Sequence, residues 1–67
     1  MERRLRKGDI VKVYDSPITD EGYEGVAVLV APITDVDPAT GCQDWFVRFL
    51  YEDGDYRRTV HPRHRKG

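Results

Sequence analysis

Apolar and polar residues alternate most clearly in two stretches of this chain. In Asp9–Tyr14, Val11 and Val13 point one way while Ile10, Lys12 and Tyr14 point the other, the period of a half-buried strand. In Asp44–His61, two runs rich in aromatic and β-branched residues flank Glu52-Asp53-Gly54-Asp55, and Asp-Gly is a strong hairpin signal. A loop of Asp53-Gly54, or of Glu52 to Asp55, gives one register: Tyr51 opposite Tyr56, Phe49 opposite Arg58, Val47 opposite Val60. One face of this hairpin then carries Trp45, Val47, Phe49, Tyr51, Tyr56 and Val60, and the other carries Phe46, Arg48, Leu50, Arg57, Thr59 and His61. The first set holds most of the aromatic mass and is the expected core.

A third stretch does not alternate. Val26, Val28 and Val30 on one face and Ala27, Leu29 and Ala31 on the other make a strand that is apolar on both sides. Such a strand needs cover on both faces or offers one face to a partner. Pro17 and Pro32 are the expected strand ends, because proline lacks the amide hydrogen that a ladder uses. Residues 15–25, DSPITDEGYEG, read as a long polar connection from which Ile18 and Tyr23 fold back over one end of the core. Residues 33–43 carry the turn signals Asp37-Pro38 and Thr40-Gly41. No helix or internal repeat is expected. Leu5 is the only apolar residue after Met1 in the first seven, so residues 1–7 read as an arm. Residues 63–67 read as too short and too charged to pack. The expectation is a single all-β domain over residues 1–67 with basic arms at 1–7 and 62–67.

Composition sharpens this picture. At 67 residues and 39% hydrophobic, the chain supports one thin core, and a domain of this size buries only about 60% of its unfolded surface. A homodimer is an expected way of adding buried area, given the two-sided apolar strand and the lack of a clear fifth strand. The longest apolar run, Val26–Ala31, is strand-sized, so no membrane partner is expected. MERRLRK has no apolar segment behind it and does not read as a signal peptide. A single cysteine, Cys42, excludes an intrachain disulfide and points to the reducing cytoplasm.

The net charge of −1 conceals a separation. Arg3, Arg4, Arg6 and Lys7 at one end and Arg57, Arg58, Arg63, Arg65 and Lys66 at the other make nine of the eleven basic residues. Residues 8–56 hold eleven acids against Lys12 and Arg48. Basic ends on an acidic body point to nucleic acid or an anionic protein surface, contacted through those nine side chains. Without a sequence-reading motif, such contact is backbone-directed and weakly specific.

Catalytic chemistry has few carriers. Cys42 lies in a loop of Asp, Thr, Gly and Gln, and no spacing ties it to His61 or His64. Pro62 between those histidines argues against a helical metal clamp. Asp35, Asp37 and Asp44 lack the calcium-loop pattern and read as turn residues. No catalytic residue, metal or cofactor is therefore expected. The alternative to nucleic-acid contact is a protein–protein module. It would use the strand at 26–31 (Val26, Val28, Val30) or an open sheet edge; Tyr14, Tyr23, Tyr51 and Tyr56 are the half-wet aromatics that could stack bases or grip a proline-rich peptide.

Four strands, a long first connection and a short third turn resemble the element order of SH3-like small barrels. Lys7-Gly8-Asp9-Ile10-Val11-Lys12-Val13 resembles the first strand of KOW and Tudor-type barrels, where Gly-Asp precedes alternating valines. Residues 11–19, VKVYDSPIT, with Glu24-Gly25 and Trp45-Phe46-Val47-Arg48-Phe49, are similar to a group of short phage and bacterial proteins with no agreed activity. The resemblance implies a small SH3-like, partly open antiparallel barrel of four to five strands, in which the two chain ends emerge near one another. The sequence departs from those barrels in lacking a clear fifth strand, and a Tudor-type aromatic cage does not map onto it residue by residue.

Overall fold

The computed structural model describes residues 4–66. Four strands, β1 (Ile10–Ser16), β2 (Glu21–Pro32), β3 (Gln43–Phe49) and β4 (Tyr56–Val60), form one antiparallel sheet in chain order. A single 3-10 turn, Pro62–His64, follows β4, and there is no α-helix among the described residues. The sheet curls until β1 and β4 touch, giving a small, partly open barrel.

The core follows the alternation of the sequence. Val11 and Val13 of β1, Ala27 and Leu29 of β2, Trp45, Val47 and Phe49 of β3 and Val60 of β4 are buried together with Leu5. Burying each large aliphatic side chain contributes about 1.5–3 kcal/mol, a sizeable share of the ~5–15 kcal/mol that holds a domain together.

The central hairpin keeps its expected faces but not its expected register. Val47 lies opposite Tyr56, Trp45 opposite Arg58 and Gln43 opposite Val60, four positions from the alignment the Asp-Gly turn suggests. A shift by an even number leaves every side chain on its own face, so Trp45, Val47, Phe49 and Val60 stay inside. Tyr51 and Tyr56 do not join them, being exposed at 68% and 38%. The β3–β4 ladder stops at Val47 and Tyr56; beyond it Leu50 N–H bonds to the Val26 carbonyl and the Tyr51 hydroxyl donates to the Glu24 carbonyl at 3.0 Å. The Tyr51 ring lies over Gly25, where a Cβ would stand 3.1 Å from it. Packing against β2 replaces pairing with β4.

The first connection also differs from the expected long loop. β1 runs on to Ser16, β2 begins at Glu21, and only Pro17–Asp20 turns between them. Ile18 and Tyr23 point outward, 61% and 56% exposed, and do not cover the core. Gly22 and Gly25, which fall within the expected connection, instead let β2 run through them at positive φ beside the bulge at Val13/Tyr14. The two-sided apolar strand is resolved by partial cover: Ala27 and Leu29 are fully inside, while Val26, Val28 and Val30 are half-buried.

Neither end is a free arm throughout. Leu5 is in the core, and Gly8 N–H bonds to the Leu29 carbonyl at 2.8 Å. Residues 62–66 pack, contrary to their charged appearance: His64 is buried, Arg65 forms a bridge to Val11, and Lys66 N–H bonds to the Ile10 carbonyl at 2.7 Å. Asp20, which meets both Arg63 and His64, anchors this segment although Arg65 and Lys66 keep their charge.

Candidate nucleic-acid interface

β1 sets one wall of the candidate site. Because Val11 and Val13 face the core, Lys12 must face out and Tyr14 stands half-buried on the same side. The segment after β4 sets the other wall. His61 caps the 3-10 turn, its Nδ1 accepting from Arg63 N–H at 3.0 Å, and Pro62 supplies the fixed φ that opens it. This turn places Arg63, His64, Arg65 and Lys66 against β1.

Asp20 fastens that segment. Its carboxylate accepts from the Arg63 guanidinium at 2.7 Å and sits 2.8 Å from His64 Nε2. Arg63 also donates to the Pro17 and Ile18 carbonyls of the turn. The Arg63 hydrogen bond holds the Asp20 carboxyl below the usual aspartate range, partial desolvation opposes it, and His64 adds to the lowering. The His64 ring packs 4.5 Å from that of Tyr14, which in turn lies 5.3 Å from Tyr23.

Arg3 lies outside the described residues. The other expected cations divide into two groups. Arg57 pairs with Asp44 at 2.8 Å, Arg58 with Glu24 at 3.0 Å and Arg63 with Asp20, so three of them serve the fold. Thr59 and Arg57 together hold the Asp44 carboxyl below its ordinary value. Among the described residues, Arg4, Arg6, Lys7, Arg65 and Lys66 have no carboxylate partner, and neither does Lys12, which charge counting at the ends had missed. Its signal was there in the alternation, which puts Lys12 outside between two buried valines. Lys12, Arg63, Arg65 and Lys66 converge on one groove of about 470 Å³ with Tyr14, His64 and Asp20. Gly8 and Lys66 share a neighbouring hollow of about 540 Å³ with Asp9, Ile10, Val26 and Leu50, so the Lys7-Gly8 turn and the other chain end are adjacent.

The expected partner residues fall into separate places. Tyr14 lines the groove just described, and Tyr23 lies outside it against the Tyr14 ring. Tyr51 and Tyr56 flank Phe49 at 5.6 and 5.9 Å, with the Arg58 guanidinium over the Phe49 and Tyr56 rings. Of the three valines, Val26 lines the hollow with Ile10 and Leu50.

The remaining reactive groups are dispersed. Cys42 is buried, and His61 stands over the neighbouring Gly41 without a hydrogen bond to the thiol among the described residues. Among the described residues no three His, Cys, Asp or Glu side chains gather to hold a metal ion, and no helix is long and apolar enough to cross a membrane. No protein-family model matches the chain, and the comparisons found no similar curated protein or solved structure.

Proposed function

We propose that this protein is a non-enzymatic cytoplasmic binding module that holds nucleic acid by its phosphate backbone. The carrying observation is the sorting of its cations: Arg48, Arg57, Arg58 and Arg63 are paired with carboxylates, whereas among the described residues Arg4, Arg6, Lys7, Lys12, Arg65 and Lys66 have none and lie towards the two chain ends and on the outer face of β1. Lys12, Arg65 and Lys66 share one groove, and like charges gathered within the ~8 Å Debye length repel and favour a polyanion that neutralises them. The SH3-like reading is supported by the 3-10 turn after β4 and by the Arg65–Val11 bridge, which stands where a fifth strand would close the barrel.

Four phosphate contacts imply roughly a hundredfold loss of affinity between ~50 and ~200 mM salt. Replacing Arg4, Lys7, Lys12, Arg65 and Lys66 with glutamine removes no ion pair among the described residues, so the variant should melt like the parent and lose salt-sensitive binding. Titration of both against nucleic acid at two salt concentrations checks this. If the parent binds nothing at low salt, the reading fails. The protein–protein alternative, including a second copy of the chain, then takes its place on the apolar surface of Ile10, Val26 and Leu50, of which Ile10 is 40% and Leu50 62% exposed.

A further inference from the structure

Tyr14 is the shared wall of two grooves with different charge. The first, lined by Lys12, Arg63, Arg65 and Lys66 against Asp20 alone, has four cations and one carboxylate. The second, about 780 Å³, sets Arg57 and Arg58 against Asp15 and Glu24 and has no net charge. Its aromatic component is Tyr23, which faces Tyr14 across the β1–β2 ladder and is more than half exposed. The Tyr23 ring is not loose. It is backed by Tyr14, whose own ring rests on the buried His64, so a row of three rings fixes its position.

The two grooves suit different parts of one ligand. A phosphate gains in the first and gains nothing in the second, where two carboxylates offset two guanidinium groups. A flat, uncharged ring gains by stacking on Tyr23 and loses nothing to the balanced charges around it. A ligand that carries phosphates and free ring faces side by side is a single-stranded nucleic acid. In a duplex the ring faces are covered by neighbouring bases, and only the phosphates remain for the protein to hold.

Resting on the backbone-binding reading above, we infer that this module prefers single-stranded to double-stranded nucleic acid, with phosphates along Lys12, Arg65 and Lys66 and a base stacked on Tyr23. Arg58 is held by Glu24 and takes no phosphate; Arg63, held by Asp20, shapes the groove.

The test is fluorescence anisotropy with a labelled, mixed-sequence strand of roughly twelve nucleotides and its duplex, each at ~50 and ~200 mM salt. The parent should bind the single strand more tightly at both concentrations. Tyr23→Ala should weaken single-strand binding by about tenfold without changing its salt slope, and Tyr23→Phe should retain it. Lys12→Gln with Lys66→Gln should flatten the slope instead. Equal affinity of the parent for strand and duplex, or a Tyr23→Ala variant that melts normally and binds the strand as the parent does, overturns the inference and leaves backbone binding intact. Should Tyr23→Ala unfold, Tyr23→Phe and the strand-to-duplex ratio of the parent decide. Absence of any salt-sensitive binding by the parent removes both readings together.

Discussion

The two hairpin tips of this barrel are held to different degrees. The tip between β1 and β2, Pro17–Asp20, is gripped from outside: Arg63 bonds to two of its carbonyls and to Asp20, and His64 meets the same carboxylate. These contacts span more than forty positions of sequence. The tip between β3 and β4, residues 50–55, is held more lightly, by one local pair, Arg48–Asp55 at 2.9 Å, and one distant bond, the Tyr51 hydroxyl on the Glu24 carbonyl. Turn chemistry is therefore a poor guide to how firmly a turn is held. The distant partners decide.

The largest expected effect is in the strands that lead into the first tip. Gly22 has φ +69, and a Cβ there would lie 2.6 Å from the Cβ of Asp15, an atom with little freedom to move. Gly22→Ala should destabilise by about 3 kcal/mol, lowering the melting temperature by roughly 12–24 °C. A calorimetric shift under ~5 °C would show that the first tip is as yielding as the second. Gly54 tests the second tip. It has φ +105 but open space around it, so Gly54→Ala should cost only the backbone strain, about 1 kcal/mol. A loss equal to that of Gly22→Ala would erase the contrast between the tips.

The smallest effect separates the tips by pH. The Asp20 carboxyl is held below its unfolded value, so the folded state takes up the proton less readily than the unfolded one. The stability this supplies is complete above about pH 4 and is lost as pH falls through the lowered folded value. Asp20→Asn should flatten the acid limb of a stability-against-pH curve, leaving the part that belongs to Asp44, whose carboxyl is lowered in the same sense. An acid limb unchanged in Asp20→Asn would mean that Arg63 and His64 hold the tip without it. Both partners of the Asp20–Arg63 pair are well exposed, so solvent screening keeps the change modest.

What the sequence discloses and what it hides divides along the same line. The period of two put Val11, Val13, Trp45, Val47, Phe49 and Val60 in the core without reference to any distant residue. The register of the central hairpin escaped because Tyr51 is drawn off by Gly25 and Glu24, more than twenty positions earlier. Arg63 and His64 read as solvated charge because nothing near them announces Asp20. The candidate site was legible as an excess of cations at the ends. Its composition was not, since Arg57, Arg58 and Arg63 find their acids only across the folded sheet, and Lys12 enters only through the pleat.

The bridge from Arg65 to Val11, with Lys66 N–H on the Ile10 carbonyl, also covers part of the outer edge of β1. An uncovered strand edge is a template on which another chain can add, so these few backbone bonds bear on solubility as much as on folding. Asp20 keeps the cover in place through Arg63 and His64. Acid or heat that releases this carboxylate therefore frees backbone groups beside Ile10, itself 40% exposed, and gives a neighbouring copy an edge to pair with. Edge-to-edge aggregation can then begin while the rest of the barrel is still folded, in proportion to protein concentration.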